Sequence, residues 1–399
     1  MKAENLMIVQ GGGPTAVFNA SLSSVIAEGI SQPGIGKILG ARLGVKGLVQ
    51  GDVVDLGQMT PEELHVLRNS PGAALGSSRF KPTEDEMYRM VDHLRQLNVR
   101  HLVFMGGNGT MRGAEVVSAF CQTANFKVQI IGVPKTVDND IAVTDRCPGY
   151  ASAARYIAQS TRDLGMDIRS LPQPVTILET MGRSVGWLAG AAALARVEAE
   201  DAPHLVYLPE VPFHKEAFLA DLDKIVTRQG WAVVVASEGI RNADGSLVYE
   251  MSDPSQLDPL KRPMTGGVGQ FLAGMVGENL KIRCRSEKPG LIGRASMAHV
   301  SVRDRQDAEC VGRAGVRALL AGETGKMVAL RPLEDAGESQ YDLVPLNATA
   351  GHERTIPAEW LSGGPLAVTQ SFNEYLRPLV GDLYRYSPAL PGFQPIGAV

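Results

Sequence analysis

The chain is 399 residues long, 44% hydrophobic and 21% charged, with a formal net charge of −4. The length exceeds one compact core, so two domains are expected. The near-balanced charge excludes a strongly basic nucleic-acid surface, and no apolar run reaches membrane-spanning length. Cys121, Cys147, Cys284 and Cys310 form no CxxC pair, which fits free thiols in a reducing compartment better than disulfides or a zinc site. Residues 1–10 carry no signal-peptide pattern, so a cytoplasmic protein is expected.

The apolar run LMIVQ at 6–10 predicts a buried strand. Gly11, Gly12, Gly13, Pro14 and Thr15 follow it, and 19–30 reads as a helix. Strand, glycine turn and helix can cradle an anion through free backbone N–H groups and the positive helix end; a plain tight turn is the other reading. Residues 37–42 predict a second strand. LGSSRF at 75–80 is a Gly/Ser loop carrying Arg79, either a phosphate clamp or a solvated surface arginine.

Residues 84–97 predict a helix, and HLVFM at 101–105 another buried strand. That strand runs into Gly106, Gly107, Asn108, Gly109 and Thr110 before a further helix, a second strand–glycine–helix unit. The next strand, 128–133, is stopped by Pro134 and opens into Lys135, Thr136, Asp138, Asn139 and Asp140. Two carboxylates beside one ammonium can accept a proton, hold a cation and hold a phosphate. Strand carboxyl ends of an open α/β sheet are where ligands sit. Asp/Asn turn chemistry alone would also give such a loop. Three such loops on one sheet edge are harder to explain by packing than any one of them.

A helix is expected over 150–167 and a strand over 174–179, then MGRSVG at 181–186 and a helix over 187–196. Strands at 204–208 and 232–236 follow, the second ending at Ser237, Glu238 and Gly239. This α/β alternation predicts a second domain with its own parallel sheet. Residues 264–277 are glycine-rich and lead into a helix. Lys281, Arg283, Arg285, Lys288 and Arg294 form a basic run: a solvated face, a phosphate-monoester site or a subunit contact. A helix over 304–321 and a strand over 327–330 come next. The Pro- and Gly-rich tail from about 343 is expected to pack on the surface.

GGNGT at 106–110, PKTVDND at 134–140 and MGRSVGW at 181–187 resemble the phosphofructokinase family of the PfkA type, as do LGSSR at 75–79, SEG at 237–239 and GRAS at 293–296. The motifs cover about 6–330. The resemblance implies two Rossmann-like three-layer α/β domains with mostly parallel sheets and an active site in the cleft between them. The donor-binding domain would span 1–150, joined by about 294–340. The sugar-phosphate domain would span 151–293, with the tail of about 341–399.

The implied reaction is phosphoryl transfer to the 1-hydroxyl of fructose 6-phosphate. Asp138 matches the family's general base, and Lys135 and Arg183 would face the charge on the transferring group. Gly12, Arg79, Gly107, Gly109 and Thr110 match donor-side positions. Thr136, Met181, Gly182, Arg183 and Glu238 match sugar contacts. Arg285 and Arg294 match arginines for the sugar 6-phosphate, one of them reaching in from a neighbouring subunit of a homodimer or homotetramer. Asp140 and Asn108 match the positions that hold Mg2+. In the family a lysine at the place of Lys135 goes with pyrophosphate. An aspartate at the place of Gly109 would block ATP, so Gly109 leaves room for it. The overall motif style is closer to the pyrophosphate branch, so pyrophosphate is the expected donor and ATP the alternative. Asn108 stands where many members carry Asp, and could ligate magnesium only through an uncharged carbonyl. Pro174 and Leu291 stand where an arginine and a His or Tyr are expected, so another sugar or sugar phosphate is an alternative acceptor.

Overall fold

The structure, a computed structural model, describes residues 4–170, 174–250, 266–333, 337–349 and 351–386. The start of the glycine-rich stretch, 264–265, and the end of the expected tail, 387–399, lie outside the described residues. Apolar runs covered on both faces give the central strands of two sheets. The larger sheet uses β1 (Glu4–Gln10), β2 (Ile35–Ala41), β3 (Val53–Asp55), β4 (Val99–Gly106) and β5 (Gln129–Pro134). The smaller uses β6 (Val175–Thr180), β7 (Leu205–Tyr207), β8 (Ala232–Ser237) and β9 (Cys284–Glu287). β10 (Lys326–Leu330) and β11 (Tyr341–Pro345) return to the larger sheet.

The larger sheet is ordered β11-β10-β5-β4-β1-β2-β3, the smaller β7-β8-β6-β9. Among the described residues, only the edge strands β3 and β11 run antiparallel. Alternation along β1 decides which helices cover each face. Leu6 and Ile8 pack with helices Phe18–Ser31 and Val302–Leu320 through Phe18, Leu22 and Val311. Met7 and Val9 pack with helices Glu84–Gln96 and Asn108–Thr123 through Met90 and Met111. In the smaller sheet, Ile177 and Val234 face helices Lys215–Gln229 and Val268–Leu280, while Leu178 and Val235 face helix Tyr150–Ser170. The molecule is thus two α/β units with mostly parallel sheets. Among the described residues, no helix is long and apolar enough to cross a membrane.

The tail differs from the surface packing expected of it. β11 pairs with β10, Lys326 opposite Pro345, so Tyr341–Pro345 extends the larger sheet rather than the second unit. Helix Gln370–Val380 then buries Phe372 and Leu376 completely in the core beside Trp187. Spacing of Phe372, Leu376 and Leu379 on one face makes the helix amphipathic, although Pro378 lies inside it. The basic run also holds more order than a solvated face: Cys284–Glu287 is β9, parallel to β6.

Candidate active site

Three glycine or polar loops meet because β5, β4 and β1 are adjacent and parallel. Gly11 N–H donates to Met105 C=O at 2.8 Å, and Lys135 N–H to Gly106 C=O at 3.0 Å, which locks the loop starts together. Side chains are excluded where the backbones approach: a Cβ on Gly11 or Gly106 would run into the Thr110 hydroxyl. Gly12 holds φ +77°, a backbone conformation that costs glycine nothing. Gly107 caps helix Asn108–Thr123, so that helix opens directly onto the cluster.

Lys135 is buried, and its ammonium donates to Gly13 C=O at 2.5 Å and lies 4.6 Å from the Phe18 ring centroid. Burial lowers its pKa to about 8, partly opposed by Asp138. The half-buried Asp138 is pushed well above the ordinary carboxylate range, first by burial, then by Asp140 and Glu238. Asp138 N–H donates to the Thr136 hydroxyl at 3.1 Å, which fixes the turn. Burial raises Asp140 as well. Asn108 Nδ2 donates to the Asp140 carbonyl and to its carboxylate, both at 3.0 Å. One oxygen each of Asn108, Asp138 and Asp140 is buried without a hydrogen-bond partner among the described residues.

The second unit closes the other side. Glu238 N–H donates to Thr180 C=O at 2.9 Å, and the Ser237 hydroxyl to Gly182 C=O at 2.5 Å. These bonds tie the Met181–Gly182–Arg183 loop to the end of β8. Gly182, at φ +134°, has no room for a Cβ, which would meet Val185 C=O at 2.5 Å. Lys288 ion-pairs with buried Glu179 at 2.7 Å and lies 3.9 Å from Glu238.

The arginines divide. A Cβ on Gly13 would lie 3.1 Å from Arg294 Nη1, so Arg294 stands over the first glycine loop, within electrostatic reach of Asp138, Lys135 and Arg79. Burial, then the charge of Arg79, holds the Arg294 pKa down while Asp138 pulls it up. Arg285 is not drawn into this cluster; it is exposed on edge strand β9, opposite Thr176. Around Gly109 there is open space: a Cβ there meets nothing within 4 Å. Leu291 is 67% exposed.

The phosphofructokinase family model matches residues 5–319. The chain belongs to the phosphofructokinase family. It is 36% identical to a pyrophosphate--fructose 6-phosphate 1-phosphotransferase of Xanthomonas campestris pv. campestris (strain B100) over 386 residues, covering 94% of this chain and 91% of that protein. It is 33% identical to a sulfofructose kinase of Alkalicoccus urumqiensis over 377 residues, 94% of each chain. Its fold matches the crystal structure of a pyrophosphate-dependent phosphofructokinase from Nitrosospira multiformis with TM-score 0.86 and 31% identity, covering 99% of this chain and 96% of that one. In this phosphofructokinase-family chain, sequence reasoning missed two groups around the site. Lys288 stood undistinguished within the basic run. Arg354 gave no signal, being a lone arginine in a segment read as surface tail; its backbone N–H donates to Asp140 C=O at 2.8 Å.

Proposed function

We propose that this protein transfers a phosphoryl group from pyrophosphate to the 1-hydroxyl of fructose 6-phosphate, giving fructose 1,6-bisphosphate and inorganic phosphate. The observation that carries the reading is the buried Lys135 ammonium, held between the first glycine loop and Asp138. The similarity to pyrophosphate-using relatives supports it.

Asp138 takes the proton of the sugar hydroxyl. The freed oxygen attacks one phosphorus of pyrophosphate while the bridging P–O bond breaks and phosphate leaves. Lys135, Arg79 and Arg183 neutralise charge on the transferring group, since positioning and electrostatics do most of the work in such a transfer. Gly12, Gly107 and Thr110 line the donor side. Thr136, Met181, Gly182 and Glu238 orient the sugar. Arg294 holds the 6-phosphate of the sugar, as its match in the family implies. Arg285, exposed on its edge strand, is available to the site of a neighbouring subunit in a homodimer or homotetramer.

Magnesium fits this donor set. Hard oxygens left unpartnered on Asn108, Asp138 and Asp140 are what such an ion prefers. Among the described residues no group of three or more His, Cys, Asp or Glu could hold a metal, which suits an ion that takes most of its ligands from phosphates and water. Bound there by Asn108 and Asp140, Mg2+ would neutralise phosphate charge. Four cysteines without disulfides suit a cytoplasmic setting.

Two observations favour a second acceptor. Exposed Leu291 offers no hydrogen bond three residues before Arg294, and a relative 33% identical is named a sulfofructose kinase. A sulfonate carries one charge and a phosphate monoester about −1.5 to −2, so a less cationic pocket suits the sulfonate. The test is a coupled assay with magnesium that crosses pyrophosphate and ATP with fructose 6-phosphate and sulfofructose. Turnover of pyrophosphate with fructose 6-phosphate is expected. Turnover with ATP alone would overturn the donor, and turnover of sulfofructose alone the acceptor.

A further inference from the structure

Residues 353–356 run between the two loops that the proposed chemistry needs in register. On one side, Glu353 forms an antiparallel bridge with Ile141, and Arg354 N–H donates to Asp140 C=O. On the other, Trp187 Nε1–H donates to Arg354 C=O at 3.0 Å. Trp187 directly follows the Met181–Gly186 loop. Glu210 completes the link by accepting from Gly186 N–H at 2.9 Å and Ile356 N–H at 3.4 Å through one oxygen. This stretch of the tail therefore hydrogen-bonds through Arg354 to the loop after β5 and, through Arg354 and Ile356 with Trp187 and Glu210, to the loop after β6.

The Arg354 side chain is placed to stiffen this link. Its guanidinium carbon lies 4.2 Å from the Trp187 ring centroid and 5.8 Å from that of Tyr375. The guanidinium is thus within cation–π reach of both rings, and its planar fork is pre-organised where an ammonium is a flexible point charge. Its Nη1 is buried with no hydrogen-bond partner among the described residues, a cost that packing alone does not explain. Tyr375 is tied to the same loop, accepting from Asn139 Nδ2 at 3.3 Å and donating to Asp145 C=O at 2.9 Å.

We propose, resting on the phosphoryl-transfer reading above, that residues 353–356 form a clasp holding the Asp138 loop and the Arg183 loop in register, with Arg354 as its positioning residue. The clasp residues are not among those assigned to donor or acceptor. It sets the distance between the base and the charge-bearing loop, so its loss lowers kcat and leaves binding largely intact.

The experiment compares the full-length wild type with Arg354→Ala and Arg354→Lys. It measures kcat and KM for both substrates, with and without low-millimolar guanidinium, and amide hydrogen exchange over 136–149 and 181–187. Arg354→Ala should lose about ten- to a hundredfold in kcat, the scale of a small misplacement, with each KM within about twofold. Guanidinium should restore part of that loss and leave the wild type unchanged, Arg354→Lys should recover only a fraction, and both segments should exchange faster in Arg354→Ala. Unchanged kcat and exchange would overturn the clasp. So would a loss of kcat that tracks lower thermal stability and that guanidinium does not rescue. A wild type silent on both substrates would overturn the function instead, and the exchange comparison would still decide the clasp.

Discussion

Lys135 and Asp138 are pushed toward each other in pKa by burial, one down to about 8 and the other well above the usual carboxylate range. A base must be ionised and a charge clamp protonated, so kcat/KM should follow a bell-shaped pH profile. The acid limb should lie above an ordinary carboxylate's, because Asp138 regains its proton early as pH falls. The alkaline limb should begin near pH 8, where Lys135 loses its charge. Lys135→Met should remove the alkaline limb as well as lowering activity, and a profile that keeps that limb would assign it elsewhere. Gly109 allows a separate test of donor choice. A side chain there enters open space in the first turn of a helix, where an acidic residue is tolerated. Gly109→Asp should therefore keep its stability within about 0.5 kcal/mol in denaturant titration, the usual range for such a surface change. It should keep pyrophosphate turnover and lose any turnover with ATP. Gly11→Ala, by contrast, drives a methyl into the Thr110 hydroxyl and should destabilise by about 1–3 kcal/mol in the same titration.

At the level of elements, the site stands on the start of helix Tyr150–Ser170, which is held from outside by Asp304. Its carboxylate accepts from Gly149 N–H at 2.8 Å and Ser152 N–H at 3.0 Å. Nearby, Arg146 makes a two-pronged pair with Asp307 at 2.7 and 2.8 Å. Burial raises the Asp304 pKa to about 6. A carboxyl whose folded pKa lies above its unfolded value binds its proton more tightly when folded. Its contribution to stability is present below the ordinary carboxylate range and is lost as pH rises through about 6. Asp304→Asn should flatten that part of the stability–pH curve, and denaturant midpoints across pH 4–7 would show it; an unchanged slope would point to another group. The strands that carry the site were legible because each is an apolar run ending in glycine or proline. β9 was not, since CRSE alternates half-buried and exposed positions at a sheet edge. Helix Gln370–Val380 was hidden by Pro378 and by the composition around it.

Across the whole molecule, two α/β units present one loop cluster to each other, and the tail returns to tie them. The motifs made the meeting of the Lys135–Asp138 loop and the two glycine loops readable in advance, because each of the three loops sits at the end of its own strand. Nothing in the sequence could reveal that Arg294 stands over Gly13 while Arg285 faces solvent, since that depends on where β9 and the short helix Gly290–Ala295 dock. Leu291 and Ile292 on that helix are 67% and 71% exposed. The proposed transfer turns on Asp138 as the base. The direct measurement is the turnover of Asp138→Asn with pyrophosphate, fructose 6-phosphate and magnesium, beside its substrate affinities. With Asp138 as the base, kcat should fall by about 10²–10⁴-fold, the usual range for a positioned acid–base group, with fructose 6-phosphate still bound. An Asp138→Asn enzyme that turns over like the wild type would contradict it.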